Sequence, residues 1–300
     1  MADAHVHFFS HRFFQTLASQ MTQPPPEADR YAFLGKIVPW EFPEPDPTRL
    51  AERWRMELFR QGVSKAALIA SVPGDEESVS AAVRAAPDRF AGYFMLDPNQ
   101  ENVAERAAWA LGELGLRGVC LFPAMHRFSL RDDRLPPVLE AVRAHRGVVF
   151  VHCGILKVAI REKLGLPCRF DVSLANSLDV CPLALDFPEV PFVIPHFGCG
   201  MFGELLLAAA HCPNLHVDTS SSNDWVKRLP VPLDLAGVFR RALDVLGPDR
   251  ILFGTDSTFF PRGWRRDVFE EQVKVLQALN LPAPDAAKIL GGNWERLFGG

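Results

Sequence analysis

The sequence predicts an α/β protein of the (β/α)8 barrel class, on three observations. Short, mostly aliphatic runs recur along the 300 residues, and nearly all are followed by a stretch with helical periodicity. At this length, strict alternation favours a closed parallel barrel over an open doubly wound sheet. Residues able to ligate a metal also stand at the ends of several runs, at the mouth where a barrel builds its sites.

The strand candidates, in order, are Ala2–His7, Ala66–Val72, Phe90–Leu96, Gly118–Phe122, Val148–His152, Phe192–His196, Leu215–Thr219 and Ile251–Gly254. Most are continuously apolar, as parallel strands buried on both faces must be. Helical patterns fill the intervals at Leu50–Gln61, Asp75–Ala86, Glu101–Leu114, Asp133–His145, Met201–Ala210, Leu233–Leu246 and Asp267–Leu279. No break in composition marks a second domain, so residues 1–300 read as one barrel. Two connections exceed ordinary βα loops: 8–48, with its prolines and aromatic residues, and 154–191. Both leave the mouth ends of strands and are expected to wall a pocket.

Composition narrows the function classes. Net charge is −4, with no long block of one sign, which excludes nucleic acid or an anionic membrane as a charge-driven partner. No apolar run reaches the roughly 18 residues needed to span a bilayer. The six cysteines form no C-x-x-C pair and read as reduced thiols, so a soluble, cytoplasmic protein is expected. The apolar and aromatic share permits a homodimer, and the expected partner is a small-molecule substrate.

The chemistry concentrates at strand ends. Residues two apart on a strand share a face, so His5 and His7 can converge on one ion. His152 ends the fifth run, His196 the sixth, and Asp256 follows the eighth. Barrel interiors favour Val, Ile and Leu, so ionisable side chains at four strand ends need a partner, and a bound cation is one.

The segments D-A-H-V-H (3–7), V-H-C-G (151–154), I-P-H-F-G (194–198), D-T-S-S-S (218–222), L-F-G-T-D-S (252–257) and I-L-G-G-N-W-E-R-L-F (289–298) together resemble the amidohydrolase superfamily. They resemble most the branch of aminocarboxymuconate-semialdehyde decarboxylase and related hydrolases. The resemblance implies a metal held by His5, His7, His152 and Asp256, with His196 beside the reacting atoms and Asp256 also taking a proton. Where two-metal members carry a bridging lysine or glutamate on strand four, this chain reads Arg117–Phe122 (RGVCLF). One divalent ion is therefore expected, zinc first, with Mn, Fe or Co as alternatives. Cys120 reads as a buried thiol in preference to a soft ligand.

The expected activity is hydrolysis of a C–N or C–O bond in a small polar or carboxylated substrate, with metal-dependent decarboxylation of an aromatic or unsaturated acid as the alternative. Candidate substrate contacts are Arg169, Arg262, Asn176, His126 and Trp264, all in loops that leave strand ends. His216, within the seventh run, reads as structural.

Overall fold

The computed structural model describes residues 1–299 and shows the barrel. Eight parallel strands pair in sequential order: β1 (Ala2–Phe8), β2 (Lys65–Ala70), β3 (Phe90–Leu96), β4 (Gly118–Leu121), β5 (Val148–Val151), β6 (Phe192–Ile194), β7 (Leu215–Asp218) and β8 (Ile251–Leu252). The chain after β8 returns to β1 through Ala4 N–H to Phe253 O (2.9 Å), Asp256 N–H to His5 O (3.0 Å) and His7 N–H to Ser257 O (2.8 Å). Helices Pro47–Arg60, Glu76–Ala85, Val103–Gly112, Leu135–Ala144, Cys181–Asp186, Phe202–His211, Leu235–Leu246 and Arg266–Ala278 follow β1 to β8 in turn. No helix among the described residues is long and apolar enough to cross a membrane.

The observed strands β4 to β8 stop one or two residues short of the apolar runs that announce them. His152 and His196 lie just past the ladder, and Pro195 accounts for the early end of β6, because proline has no N–H to donate. This is what frees the side chains at the mouth. β1 departs from simple alternation as well. Asp3 pairs with Ala66 and Val6 with Leu68, so one extra residue bulges out between them. The bulge sends Asp3 to the Trp264 side while His5 and His7 both face the barrel axis, a re-aiming common beside functional sites.

Burial divides into three clusters. Ala67, Ile69, Tyr93, Cys120, Phe150 and Val193 fill the barrel interior. A larger layer, including Leu68, Phe94, Val119, Val149 and Val217, packs between strands and helices. Over the mouth, Phe13, Phe14 and Leu17 of the first long connection meet Ile160, Leu164 and Leu166 of the second. The two connections thus share a single apolar roof.

Two features of the frame yield expected outcomes. Gly118 opens β4 against the fully buried Tyr93, and a methyl group there would fall within the Tyr93 ring and 3.0 Å from Val148 O. Gly118→Ala is expected to cost about 1–3 kcal/mol by overpacking, read as a lower urea midpoint at unchanged slope. His216 is 5 % exposed, and its Nδ1 lies 3.1 Å from Asn214 O. Burial, with Arg296 and Arg250 nearby, pushes its imidazole down to about 4. The unfolded chain takes up a proton near pH 6.5 that the folded chain refuses, so His216 costs stability as pH falls from 6.5 toward 4. The loss saturates below that window at about 3 kcal/mol. Urea unfolding of His216→Gln between pH 7.5 and 4.5 should show a shallower pH dependence than the native chain.

Candidate metal centre

Three donor atoms meet at the mouth. His5 Nε2 lies 3.3 Å from His7 Nε2, His7 Nε2 lies 3.2 Å from Asp256 Oδ1, and His5 Nε2 lies 3.8 Å from the same oxygen. The hydrogen bonds behind them settle the tautomers. His5 Nδ1–H donates to Asp218 Oδ2 at 2.9 Å. His7 Nδ1–H donates to Ser71 Oγ at 2.7 Å, because the Ser71 hydroxyl is itself spent on Ile69 O at 3.0 Å. In the neutral imidazoles both Nε2 atoms therefore carry lone pairs.

Two nitrogen lone pairs and a carboxylate oxygen facing one another repel unless a positive charge sits among them. Donors about 2.0–2.2 Å from one divalent ion lie about 3.0–3.5 Å apart, close to the separations observed. The ionisation of the cluster expresses the same need. Burial drives His5 down, yet Asp218, Asp256 and Asp3 outweigh it and leave His5 above its usual value. Burial pushes Asp256 up, but the contact with His7 and positive charge on the surrounding histidines hold it well below the carboxylate range, a charge that a divalent ion supplies in their place when the imidazoles are neutral. The residues fit a divalent cation.

The sequence explains how these groups are held. Asp256 takes a left-handed backbone (φ 60°), uncommon for a residue with a side chain. Its neighbour Thr255 is pinned through N–H to Asp3 Oδ1 (3.2 Å) and through Oγ1 to Asp3 Oδ2 (2.5 Å). Asp3 also accepts from His5 N–H (2.9 Å) and from Trp264 Nε1–H (2.7 Å). One buried carboxylate thus joins the two strands that supply the three donors.

His152 borders the same cavity, stacked on Phe122 (ring centroids 5.4 Å apart) and 5.4 Å edge-on from His196. It stands outside the tight cluster of His5, His7 and Asp256. Its Nδ1 is buried with no hydrogen-bond partner, and burial, with His196 and His5 nearby, pushes the ring down to about 3. It is a neutral, unsatisfied imidazole one step from the centre. Its exit from β5 depends on Gly154, which is left-handed (φ 76°) and so close to the Gly198 and Cys199 carbonyls that no Cβ fits.

His196 is also left-handed (φ 55°). Its backbone N–H donates to Asp218 Oδ1 (3.1 Å), and its Nδ1 lies 2.8 Å from Ser220 Oγ. Ser220 gives its own proton to Asp218 Oδ1, so it accepts from His196 Nδ1–H, and His196 turns an Nε2 lone pair outward. His5, His196 and Asp218 also lie close together, but hydrogen-bond protons already satisfy that Asp218. Burial raises Asp218, and the charge and hydrogen bond of His5, then His196 and Ser220, bring it down to about 2.

The cavity above these groups is about 480 Å³. Its aromatic wall runs from Phe13 stacked on Phe9 (3.9 Å) to Trp40 stacked on Phe259 (3.9 Å), with the Arg262 guanidinium 4.5 Å above the Phe259 ring. Of the proposed substrate contacts, Arg262 lines this cavity. Arg169 and His126 line an adjoining chamber. Asn176 caps a short turn by accepting from Leu178 N–H (2.9 Å), and Trp264 is buried against Asp3, so neither borders the cavity. Cys120 sits in the apolar barrel interior, where burial and the Asp218 charge push its thiol well up and keep its proton on.

Asp218, Ser71 and Ser220 orient the histidines; Asp218 and Ser220 lie in the segment D-T-S-S-S (218–222), but the sequence alone assigns none of the three a role. The signal for Asp218 was available. It ends the apolar run Leu215–Val217 just as His152 ends Val148–Val151.

Comparison with known proteins bears on the fold and the family. The chain covers 100 % of its own length against 5-carboxyvanillate decarboxylase from Sphingomonas paucimobilis and 98 % of that chain, at 17 % identity and TM-score 0.66. A probable 2-pyrone-4,6-dicarboxylic acid hydrolase from Acinetobacter baumannii matches at 13 % identity and TM-score 0.64, over 100 % of this chain and 99 % of that one. A dihydroxybenzoic acid decarboxylase from Polaromonas, with bound manganese, matches at 17 % identity and TM-score 0.61, over 99 % and 96 %. At such identities these likenesses establish the fold. The family model for amidohydrolases matches residues 2–300, and with the strand-end histidines and aspartate of the barrel mouth, the chain belongs to the amidohydrolase family.

Proposed function

We propose that the protein is a mononuclear metal-dependent hydrolase in which His5, His7 and Asp256 hold the ion and His152 turns in as the fourth ligand. The observation that carries this is the meeting of His5 Nε2, His7 Nε2 and Asp256 Oδ1 within 3.8 Å, with both Nδ1 atoms committed to hydrogen bonds behind them. A divalent ion there, zinc by the preference of imidazole and carboxylate donors, supplies Lewis acidity to water and to a substrate oxygen.

The placement of the chain's own groups supports hydrolysis. Asp256 Oδ1 lies within 3.8 Å of both ligand nitrogens, and His196, bonded to Ser220 through Nδ1, turns an Nε2 lone pair toward the same cavity. Two proton acceptors beside the ion are what activation of an attacking water needs. Asp256 receives the water proton. From Asp256 the proton passes to His196 Nε2, fixed by Ser220, which gives it to the leaving group as the bond to the reacting carbon breaks. Arg262, above Phe259 at the cavity wall, meets a substrate carboxylate.

One observation favours the second reading, decarboxylation of an aromatic acid. The stacked rings of Phe9, Phe13, Trp40 and Phe259 suit a flat, unsaturated substrate. Turnover of lactones, amides and aromatic acids by zinc-loaded protein in H2¹⁸O separates the two. Hydrolysis places ¹⁸O in the product, whereas decarboxylation releases CO2 from a ¹³C-labelled carboxylate. Release of labelled CO2 with no ¹⁸O in the organic product would overturn the hydrolase reading.

A further inference from the structure

Two of the six cysteines sit side by side, 31 residues apart in the chain. Cys181 opens the helix Cys181–Asp186, at the end of the second long connection, and Cys212 follows the helix Phe202–His211. Cys212 Sγ lies 4.0 Å from Cys181 O, and the two thiols are within hydrogen-bonding reach of each other. The segments that carry them are held in place independently of the sulfurs. Asn214, two residues beyond Cys212, shares its Nδ2 protons among Ala184 O (3.0 Å), Phe187 O (3.1 Å) and Val190 O (2.9 Å). Arg250 Nη1–H donates to Cys212 O (3.2 Å) and to Ala209 O (2.9 Å).

The two thiols differ in access. Cys212 is fully buried, whereas Cys181 is partly exposed. Burial, with Cys181 beside it, pushes the Cys212 thiol up to about 11, so it keeps its proton and does not attack an oxidant by itself. Cys181 is the sulfur that a dissolved oxidant meets first. A buried thiol alone packs as a small apolar group and calls for no function. A reachable thiol touching a buried one, on two segments already fixed against each other, is the arrangement in which a disulfide closes with little backbone movement.

We propose that Cys181 and Cys212 form a site of oxidative modification by hydroperoxides, in which Cys181 is oxidised first and Cys212 completes a disulfide. The Cys181 sulfur attacks one peroxide oxygen and the O–O bond breaks. That oxygen stays on sulfur as a sulfenic acid, and the other leaves as water. Cys212 Sγ then attacks the Cys181 sulfur. The S–S bond forms, the S–O bond breaks, and the Cys212 proton leaves with the oxygen as a second water. The two sulfurs give up two electrons in all, and the peroxide takes them. The product closes a loop that contains β6 and His196, and it staples the second long connection to the helix Phe202–His211. Neither cysteine lines the cavity over the candidate metal centre, so this site is separate from it and does not depend on it.

The test exposes the native chain to one equivalent of hydrogen peroxide near neutral pH, blocks the remaining thiols and maps the peptides by mass spectrometry. No Lys or Arg lies between Arg169 and Lys227, so trypsin leaves Cys181, Cys199 and Cys212 on one peptide. Cleavage after Glu189 and Glu204 separates the three. The expected result is a link between the Cys181 and Cys212 peptides, with loss of two hydrogens, reversed by dithiothreitol. Closing a loop of this length should also raise the thermal midpoint by about 5 °C. Cys181→Ser, at a partly exposed position, should abolish both the link and the shift. Cys212→Ala should leave Cys181 as a sulfenic acid that dimedone traps. Linkage of Cys181 to Cys199 or Cys168 in place of Cys212 would overturn the proposal. So would sulfinic acid at Cys181 with Cys212 still a thiol, no oxidation at Cys181, or an equal rise of the midpoint in Cys181→Ser.

Discussion

Asp256→Asn and His5→Ala should each yield folded protein that no longer retains stoichiometric metal, with turnover lower by more than about 10³-fold. The size follows from what is removed. Two imidazole nitrogens and one carboxylate oxygen lie 3.2–3.8 Å apart, and taking away either charge or a lone pair leaves too few donors for a divalent ion. Losing a residue that hydrogen-bonds a metal's ligand costs about 10–100-fold, and losing a ligand should cost more. Asn in place of Asp256 keeps the volume and can keep the backbone bond from position 256 to His5 O, so the fold should survive. His152→Ala belongs in the same series. If His152 swings in as a fourth ligand, its loss should weaken metal binding by less than loss of the three clustered donors, because those are already assembled. Metal content by mass spectrometry and zinc affinity by competition with a chelator read all three variants. Full metal retention in Asp256→Asn would remove the basis of the proposed chemistry.

How much of this was legible in the chain depends on whether a feature is local. The order of strands and helices followed from continuous apolar runs alternating with helical periods, because each run must be buried on both faces in a parallel barrel. His5 and His7 were legible from their spacing of two, but for an incomplete reason. Strict alternation would put Asp3 on their face, and the bulge between Asp3 and Val6 moves it to the opposite side, where it clamps Thr255 and Trp264. Pairwise register of this kind is a property of two strands and is absent from either one alone. The support behind the centre was hidden for a related reason. Ser71 leaves β2 and Asp218 ends β7, far from the residues they orient, and a serine or aspartate at a strand end is locally indistinguishable from ordinary turn chemistry. Asn176 shows the converse. Its position in a loop leaving β5 suggested a substrate contact, and its side chain instead accepts from Leu178 N–H, the common local use of Asn.

His196→Ala should separate catalysis from metal binding. Its imidazole is held from behind by Ser220, and it lies 5.0 Å from His5 ring to ring, so it flanks the cluster of His5, His7 and Asp256 without completing it. Removal is expected to leave zinc stoichiometry near native and to lower kcat by about 10²–10⁴-fold, the range for loss of a positioned acid–base group. The pH profile supplies a second readout. Burial depresses the imidazole, so His196 is neutral at pH 7 and becomes protonated only below its unperturbed value near 6.5. Activity that depends on its Nε2 lone pair should fall on the acid side in the native enzyme, and this limb should flatten in the variant. Ser220→Ala offers a graded version. The His196 ring would lose the acceptor for its Nδ1 proton and with it the preference for the tautomer that exposes Nε2. A smaller loss in kcat than in His196→Ala is expected, with KM little changed, since the pocket walls are untouched. Equal metal loss in His196→Ala and His5→Ala would mean that His196 is itself a ligand, and the division between holding the ion and moving the proton would have to be redrawn.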